Sequence, residues 1–421
     1  MSSRMERRTV FGRMLPRSVD QEVAPGIVMV AGFGNTGVVF TDEGVVLIDN
    51  TPQTAAHVIE AIRARTDKPI YAIIYTHGHG DHAWATAAFL EDAQKRGHPR
   101  PKVIGHEAVP ERFDRYAELA RWNRFINGIQ SGRVYARPAP DERFTPANVV
   151  YPDITYHSEM QFRLGGLTFE LYHCKGETDD GTWVWVPERR VAFTGDLNVG
   201  CCPNIGNPFK LQRYETEWAE GLERIAGKQP EAIVPGHGAL IRGADVQEVC
   251  LVTAKFLRYL HDEVVRLLND GCWIEDILER VKVPAEFADK PYLAPIYGCP
   301  TYVIHGIQRR YAGWFNGNAS ELFPSRRVDT AAEVVKLTGA GKLLARAREL
   351  QKEGNPQQAL HLVDFVVYGA DAPAKKEALL LKAALLDAKA EKEGNSIARN
   401  IFIISAEKAE QDGQGSGDSD A

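Results

Sequence analysis

The sequence lacks long apolar runs, and it carries no excess of basic charge. Its apolar stretches, such as Tyr71–Tyr75, are far shorter than the roughly 20 residues that span a bilayer, which excludes a membrane-spanning helix. Residues 1–25 contain no apolar core of a secretory signal, so a cytoplasmic protein is expected. Fifty Lys and Arg against 56 Asp and Glu give a net charge of −6. This balance gives no broad electrostatic basis for binding nucleic acid or an anionic membrane.

Cysteine is also scarce. The chain has 6 cysteines in 421 residues, and none of them forms a C-x-x-C pair. Such a pattern excludes a small disulfide scaffold. The adjacent pair Cys201–Cys202 is therefore interpreted mainly as buried core packing rather than as a redox or ligand site.

What is present is an ordinary globular composition, with 44% hydrophobic and 25% charged residues in a length that suits two to three domains. Short β-rich runs bounded by turns alternate with helical patterns in two stretches, which predicts a layered α/β sandwich. We expect an N-terminal arm over residues 1–25 and a catalytic domain over 26–245, with 107–160 as an inserted cap. The expected strands are 26–30, 37–41, 45–48, 69–75, 103–104, 183–186, 190–194 and 232–235. Residues 162–173 are expected to form two strands joined at Gly165–Gly166. The expected helices are 54–66, one starting near Asp81 and running through Leu90, and 214–226.

From Asp245 onward the pattern becomes helical. Residues 246–330 are expected to form a helical extension that completes the site, and residues 331–411 an all-α domain of helical hairpins. Breaks at 354–356, 369–371 and 394–395 divide that domain into four predicted helices. Residues 412–421 are expected to be a disordered acidic tail.

The most informative segment is His77-Gly-His-Gly-Asp-His82, which directly follows a predicted buried strand. It places three imidazoles and one carboxylate within six residues, and the glycines let the backbone turn tightly. We expect His77 and His79 to point at one metal ion, and Asp81 and His82 at a second ion nearby.

Two metal ions need further ligands, and three candidates follow later predicted strands at glycine-rich turns. They are Glu177 in Gly-Glu-Thr-Asp-Asp, Asp196 in Thr-Gly-Asp and His237 in Pro-Gly-His-Gly. Asp49, at the end of its own strand, is expected to orient one of the metal-binding histidines.

This order of motifs resembles the metallo-β-lactamase superfamily of binuclear hydrolases, whose fold is an αββα sandwich. The resemblance implies that the first ion binds His77, His79 and Glu177 and that the second binds Asp81, His82 and His237. It further implies that Asp196 bridges the two ions and that Asp81 and Asp196 are the catalytic carboxylates.

Glutamate at position 177 is similar to the alkyl sulfatase branch of that superfamily, since most other members have histidine there. The similarity continues through Pro203-Asn204, Tyr311–Asn318 and Ala398–Ala406, and it implies a homodimer formed through the C-terminal helices. The bridging residue departs from that branch, which uses a second glutamate. The chain also stops before the sterol-carrier-like domain of the full-length sulfatases, so a smaller or more soluble substrate than a long-chain detergent is expected.

The expected reaction is hydrolysis of an alkyl sulfate ester to an alcohol and inorganic sulfate by a metal-activated water. Two Zn²⁺ ions are favoured because four imidazoles contribute, while the carboxylates leave manganese or iron open. Asn204, Lys210, Arg213 and the pair Arg309–Arg310 are candidate donors to the sulfate, and Trp314 with Phe315 is a candidate apolar wall.

Two alternatives stay open at this point. The same scaffold also supports a lactonase, thioesterase or phosphodiesterase, because fold and metals do not select the bond that is cleaved. A non-catalytic metal-binding interaction protein is the alternative from a different class.

Overall fold

The computed structural model describes residues 4–8, 14–15, 19–133 and 139–415. Their strands form two sheets, one of seven and one of six strands. The first sheet contains, in spatial order, β1 Gln21–Ala24, β2 Ile27–Val30, β3 Thr36–Phe40, β4 Val45–Ile48, β5 Ile70–Ile74, β6 Lys102–His106 and β7 Ile154–Tyr156. The second sheet contains β8 Glu159–Leu164, β9 Leu167–His173, β10 Thr182–Val186, β11 Val191–Gly195, β12 Ala232–Pro235 and β13 Ile241–Arg242, in the spatial order β13-β12-β11-β10-β9-β8.

Helices precede, separate and follow these strands. They are α1 Arg4–Arg7, α2 Ala55–Arg63, α3 Gly80–Ala83, α4 Thr86–Lys95, α5 Ala108–Glu118, α6 Ala120–Gln130, α7 Glu215–Gly227, α8 Ala244–Asn269, α9 Ile274–Arg280, α10 Ala285–Ala288, α11 Pro300–Tyr311, α12 Arg327–Thr338, α13 Ala340–Lys352, α14 Pro356–Gly369, α15 Ala372–Lys392 and α16 Ser396–Gln414. Among the described residues, none of the helices has the length and hydropathy needed to cross a lipid bilayer.

The predicted αββα sandwich is confirmed. The facing sides of the two sheets share one apolar cluster, to which Ile48 and Phe193 belong. The outer side of the first sheet packs against α2 and α4. The outer side of the second sheet packs against α7 and α8. Each sheet therefore buries both faces, which explains why strands such as β4 and β5 are apolar almost throughout.

Local chemistry accounts for the hairpin between β8 and β9. Gly165 and Gly166 both have positive φ, at 50° and 81°. A two-residue turn with both central residues in the left-handed region matches the twist of the flanking strands, and glycine adopts it without a Cβ clash. The predicted junction of two strands at these glycines is therefore confirmed.

Several expected boundaries differ from the structure. The single helix expected from Asp81 through Leu90 is two helices, α3 and α4. The expected N-terminal arm contributes the short strand β1, and the expected cap contributes β7. These strands have only 4 and 3 residues, too short for an alternating pattern to stand out.

The C-terminal helices also differ from expectation. Five helices lie between Arg327 and Gln414, where four were expected from residue 331. The missed break is at Gly339, whose φ of 85° ends α12 and starts α13. The last helix continues to Gln414, so residues 412–414 are helical and not part of a tail, and residues 416–421 lie outside the described residues.

The chain divides into two compact units. One contains the sandwich and comprises residues 11–123 and 140–314. The other contains the C-terminal helices and comprises residues 1–10, 124–139 and 315–421. The segment expected to form a single cap is thus shared between the two units.

Candidate metal centre

All seven predicted ligands follow strands at one edge of the sandwich: five lie in loops, and Asp81 and His82 lie in the short helix α3. The strands β4, β5 and β6 are parallel, as are β11 and β12, so their carboxyl ends meet at this edge. The ligand atoms form two groups, within each of which they lie no more than 4.8 Å apart. The first group is His77, His79, Glu177 and Asp196, and the second is Asp81, His82 and His237.

Asp196 lies between the two groups. Its Oδ2 is 3.7 Å from His77 Nε2 in the first group. Its Oδ1 is 3.3 Å from the Nε2 atoms of both His82 and His237 in the second group. This is the position that a carboxylate bridging two cations would take.

The two glycines of the histidine loop are required by close approach. A Cβ at Gly78 would collide with the Arg112 stem and with Asp180, and a Cβ at Gly80 would collide with the Trp84 ring. Because the loop is packed this tightly, its histidines have few alternative positions.

Hydrogen-bond partners assign the tautomers of His82 and His237. His82 Nδ1–H donates to Asp49 Oδ2 (2.8 Å), and His237 Nδ1–H donates to the carbonyl oxygen of Phe33. Both Nε2 atoms therefore carry lone pairs in the neutral rings. The two Nε2 atoms lie 3.4 Å apart. Both face Asp81 Oδ2, which is 3.7 Å from His82 Nε2 and 3.5 Å from His237 Nε2.

His77 is oriented in the same way. Its Nδ1 lies 3.1 Å from the Thr76 hydroxyl, which itself donates to Asp49 (2.7 Å). The hydroxyl therefore accepts from Nδ1–H, and the Nε2 lone pair of His77 faces His79 Nδ1 at 2.8 Å.

The residues present fit two divalent cations. Imidazole lone pairs and carboxylate oxygens converge from several strands, and Asp196 Oδ1 is buried with no hydrogen-bond donor among the described residues. A buried carboxylate oxygen without a donor is costly unless a cation compensates it. Nitrogen and oxygen ligands of this kind suit zinc and leave manganese or iron open.

The ionisable groups at the centre shift one another's pKa values strongly. Burial opposes protonation of His82 and His237, but the surrounding carboxylates, Asp196 foremost, together outweigh it, so the pKa of His82 is raised well above its usual value and that of His237 to about 9. Burial alone would raise the pKa of Asp196, but His237 and His82 hold it well below its usual value. The carboxylate is thus stabilised by positive charge on the side where a cation would lie.

His77 and His79 respond in the opposite direction. Burial, with neighbouring imidazoles, lowers the pKa of His77 to about 4 and that of His79 well below its usual value. Both rings are therefore neutral at pH 7, which is the protonation state that binds a metal ion.

Asp49 is the anchor of the histidine loop, as expected for a residue that orients a metal-binding histidine. It accepts hydrogen bonds from the backbone N–H of Thr76 (2.7 Å), from the Thr76 hydroxyl and from His82. Its φ of 62° is unusual for a residue other than glycine and turns the chain sharply at the end of β4.

The predicted substrate donors surround Glu177. Asn204 Nδ2–H donates to Glu177 Oε1 (3.2 Å). Arg213 donates to the same oxygen and to the carbonyl of Asn204 (2.7 Å). The guanidinium of Arg213 is therefore engaged with a predicted metal ligand through Nη1, and its predicted contact with the sulfate stays a prediction. Burial and the Arg213 charge lower the pKa of Lys210 to about 7, in the field of Glu177 and Asp81.

The other predicted substrate contacts are Trp314, Arg309 and Arg310. Trp314 is 77% exposed in the single chain, and its place in a wall of the site stays a prediction. Arg310 pairs with Glu215 and Glu217, and Arg309 donates to Gln212 and to the carbonyl of Lys210. These pairings link α11 to residues 93 to 99 positions earlier, which sequence spacing does not reveal.

Three residues near the centre were missed. Burial and then the charge of Glu177 raise the pKa of Tyr297. Asp180 Oδ2 accepts from the Gly78 N–H (2.9 Å) and pairs with Arg112. The Asp179-Asp180 dipeptide after Glu177 was a usable signal for Asp180, whereas nothing in the sequence singled out Arg112 or Tyr297.

Two family models match the chain. The metallo-beta-lactamase superfamily model matches residues 29–237, and the alkyl sulfatase dimerisation model matches residues 273–412. Together they cover most of the sandwich and the helical region from α9 onward.

Curated proteins and solved structures give the same result. A linear primary-alkylsulfatase from Pseudomonas sp. (strain ATCC 19151) is 27% identical over 348 residues, covering 77% of this chain and 65% of that protein. An (R)-specific secondary-alkylsulfatase from Pseudomonas sp. is 25% identical over 410 residues, covering 91% of this chain and 61% of that protein. The structure of a stereoselective inverting sec-alkylsulfatase from Pseudomonas sp. has the same fold, with a TM-score of 0.81 at 24% identity, covering 93% of this chain and 66% of that one. The chain thus spans less than two thirds of the length of these relatives.

Proposed function

Because this chain belongs to the metallo-β-lactamase superfamily and contains an alkyl sulfatase dimerisation domain, we propose that it is a binuclear metal-dependent hydrolase of organic sulfate esters. The observation that carries the proposal is the position of Asp196 between two groups of convergent ligand atoms. The alkylsulfatase names of its relatives support the choice of ester.

We assign one cation to His77, His79 and Glu177 and the other to Asp81, His82 and His237, with Asp196 shared between them. When bound, such ions supply Lewis acidity, which lowers the pKa of a water molecule towards neutrality and stabilises negative charge on the ester. Zinc is the proposed metal in both positions, because four of the ligands are imidazoles.

The residues of the chain then divide the remaining tasks. Asp49 fixes His82 in the tautomer that leaves Nε2 available. Arg213 and Asn204 hold Glu177 in place through one carboxylate oxygen. Lys210 and the remaining donor capacity of Asn204 are the proposed contacts to the sulfate group, since Asn204 donates to Glu177 and the charge of Glu177 acts on Lys210.

An apolar cavity adjoins the second group of ligands. Its volume of about 650 Å³ is in the range of small-molecule sites, and His237 lies in its wall. Apolar side chains dominate the remaining lining, among them Leu197, Val199, Pro203, Leu240, Ile241, Val249, Pro291 and Ile296. We propose that this cavity receives the organic part of the ester.

The test is a substrate panel with the zinc-reconstituted full chain. Linear and secondary alkyl sulfates, a lactone, a thioester and a phosphodiester are incubated with protein, and released sulfate is measured by ion chromatography. Sulfate release is expected, and release by Asp196→Ala at the wild-type rate would contradict the assignment of the bridge. Turnover of another ester without sulfate release would assign the scaffold to that chemistry instead.

Metal content, assembly and location complete the proposal. Metal analysis is expected to find about two ions per chain. A chain that stays metal-free in added zinc would contradict the proposed centre. A homodimer formed by the helices of residues 331–411 is supported by the dimerisation match, and a single-chain mass in light scattering would contradict it. A cytoplasmic location stays a prediction, to be tested by cell fractionation.

A further inference from the structure

The side chain of Arg112, on α5, lies between two loops that carry predicted ligands of the first cation. Its Nε is 3.0 Å from Asp180 Oδ2, and its Nη2–H donates to Asp179 Oδ1. Asp180 Oδ2 also accepts the backbone N–H of Gly78 (2.9 Å). Arg112 is therefore joined through one carboxylate oxygen to the loop that holds His77 and His79.

Sequence adjacency makes this contact specific. Gly78 lies between His77 and His79, and the pair Asp179-Asp180 begins two residues after Glu177. The guanidinium thus connects the histidine loop and the glutamate loop of the same group. Within the described contacts, none joins Arg112 to Asp81, His82 or His237 of the other group.

Burial makes the arrangement rigid. The side chain of Asp180 is fully buried, and that of Arg112 is 8% exposed. A Cβ at Gly78 would strike Arg112 Cδ, so the aliphatic stem of the arginine covers the loop directly. Tyr116, one helical turn further along α5, also forms a hydrogen bond with the guanidinium.

We propose that Arg112 is a positioning residue for the first cation, because it holds the His77–His79 loop and the Glu177 loop at their mutual distance. The inference rests on the proposed function, since it presumes two bound ions. A direct contact with the sulfate is not proposed, because the guanidinium is already engaged with Asp179, Asp180 and Tyr116.

The physical reason is the loss of preorganisation. Without the guanidinium, Asp180 is a buried charge without its partner, and the loop around Gly78 can relax away from Glu177. Groups that orient metal ligands change affinity roughly 10- to 100-fold when removed. Only the ion held by His77, His79 and Glu177 should weaken by this amount.

The experiment uses the full chain reconstituted with Co²⁺ or Zn²⁺. Ion affinities are measured by competition with a chromophoric chelator, and the visible absorption of bound Co²⁺ reports the geometry of each site without any turnover. The variants are Arg112→Lys, which keeps the charge but has a single donor group, and Arg112→Met with Asp180→Asn, which removes the buried charge of Asp180 together with that of its partner and keeps an acceptor for Gly78. Asp179 also loses Arg112 in the double variant, but its side chain is 33% exposed and Arg115 lies 3.9 Å away. Circular dichroism checks that each variant is folded.

Arg63→Met is the matched control. Arg63 forms a similarly buried pair with Asp92, at 2.6 Å and 3.1 Å, but on α2 and α4 and not on a ligand-bearing loop. The Arg63→Met variant should be less stable to unfolding and should bind both ions with wild-type affinity.

The expected result is that one ion binds about 10- to 100-fold more weakly in the double variant, with a smaller loss in Arg112→Lys. The second ion should stay near its wild-type affinity, and the Co²⁺ spectrum should change for one site. Wild-type affinity for both ions in these variants, or equal loss of both, would overturn the inference alone. A wild-type chain that binds no ions would overturn the proposed function and this inference together.

Discussion

Replacing Asp49 with alanine is expected to destabilise the chain even in the absence of metal. The carboxylate accepts three hydrogen bonds, from the Thr76 N–H, the Thr76 hydroxyl and His82 Nδ1–H. The hydroxyl can turn to another acceptor, but the N–H and the imidazole would remain buried without one. Thr76 is 1% exposed and His82 0%, so water cannot replace the lost acceptor.

The magnitude follows from these two donors. An unpaired buried donor costs about 1–3 kcal/mol, so their sum is about 2–6 kcal/mol. The left-handed backbone at position 49, with φ 62°, adds strain for alanine, because aspartate tolerates this region better.

The assay is urea unfolding of the metal-free protein at pH 7, followed by circular dichroism. Asp20→Ala is the matched control, because Asp20 also accepts a backbone N–H, from Ala31 (2.8 Å), and pairs with a histidine, His57. That pair is exposed, at 54% and 42% of the side chains, so its loss should cost no more than about 1 kcal/mol.

The losses of stability in Asp49→Ala and Asp20→Ala are compared directly. Equal, small losses for the two variants would refute the argument that burial makes Asp49 the anchor of the loop. In the metal-bound protein, Asp49→Ala should also weaken the ion bound by His82 by roughly 10- to 100-fold, which chelator competition measures.

Three further predictions concern stability and are measured by denaturant unfolding. Gly37→Ala should lose about 1–3 kcal/mol, because its Cβ would overlap the ring of Phe193 between the sheets, and an unchanged midpoint would contradict this. Asn395→Ala should lower the free energy of unfolding by about 1 kcal/mol, because the Asn395 side chain caps α16 by accepting two backbone N–H groups at 3.1 Å. Asp371→Ala, at a helix start without such a bond, should change the free energy of unfolding little. Burial tends to raise the pKa of Asp92, but hydrogen bonds from Arg63 and Arg96 lower it overall. The contribution of the Asp92 carboxylate to the free energy of unfolding is therefore present above about pH 4 and is lost as the pH falls through the folded pKa. The stability difference between wild type and Asp92→Asn should therefore shrink below about pH 4, and a constant difference would refute it.

The sequence by itself determined the layered fold and the identity of the clustered residues. Strand and helix periods are local, so β4, β5, β11 and β12 were recognisable from a few residues each. The histidine motif and the acidic or histidine residues at later strand ends were also local patterns. Their meeting at one edge followed from the parallel direction of those strands.

Only the tertiary structure decided which side chains support the ligands. Arg112 and Asp180 are 68 positions apart, and Arg213 and Glu177 are 36 apart. No period or spacing links such pairs, because their contact depends on how loops pack after the sheets have formed. The sequence therefore did not reveal that Arg213, a predicted sulfate donor, pairs with Glu177, or that Trp314 is largely exposed in the single chain. Local sequence patterns specified the strands and the ligand types, whereas the partners that orient those ligands depended on contacts between distant segments.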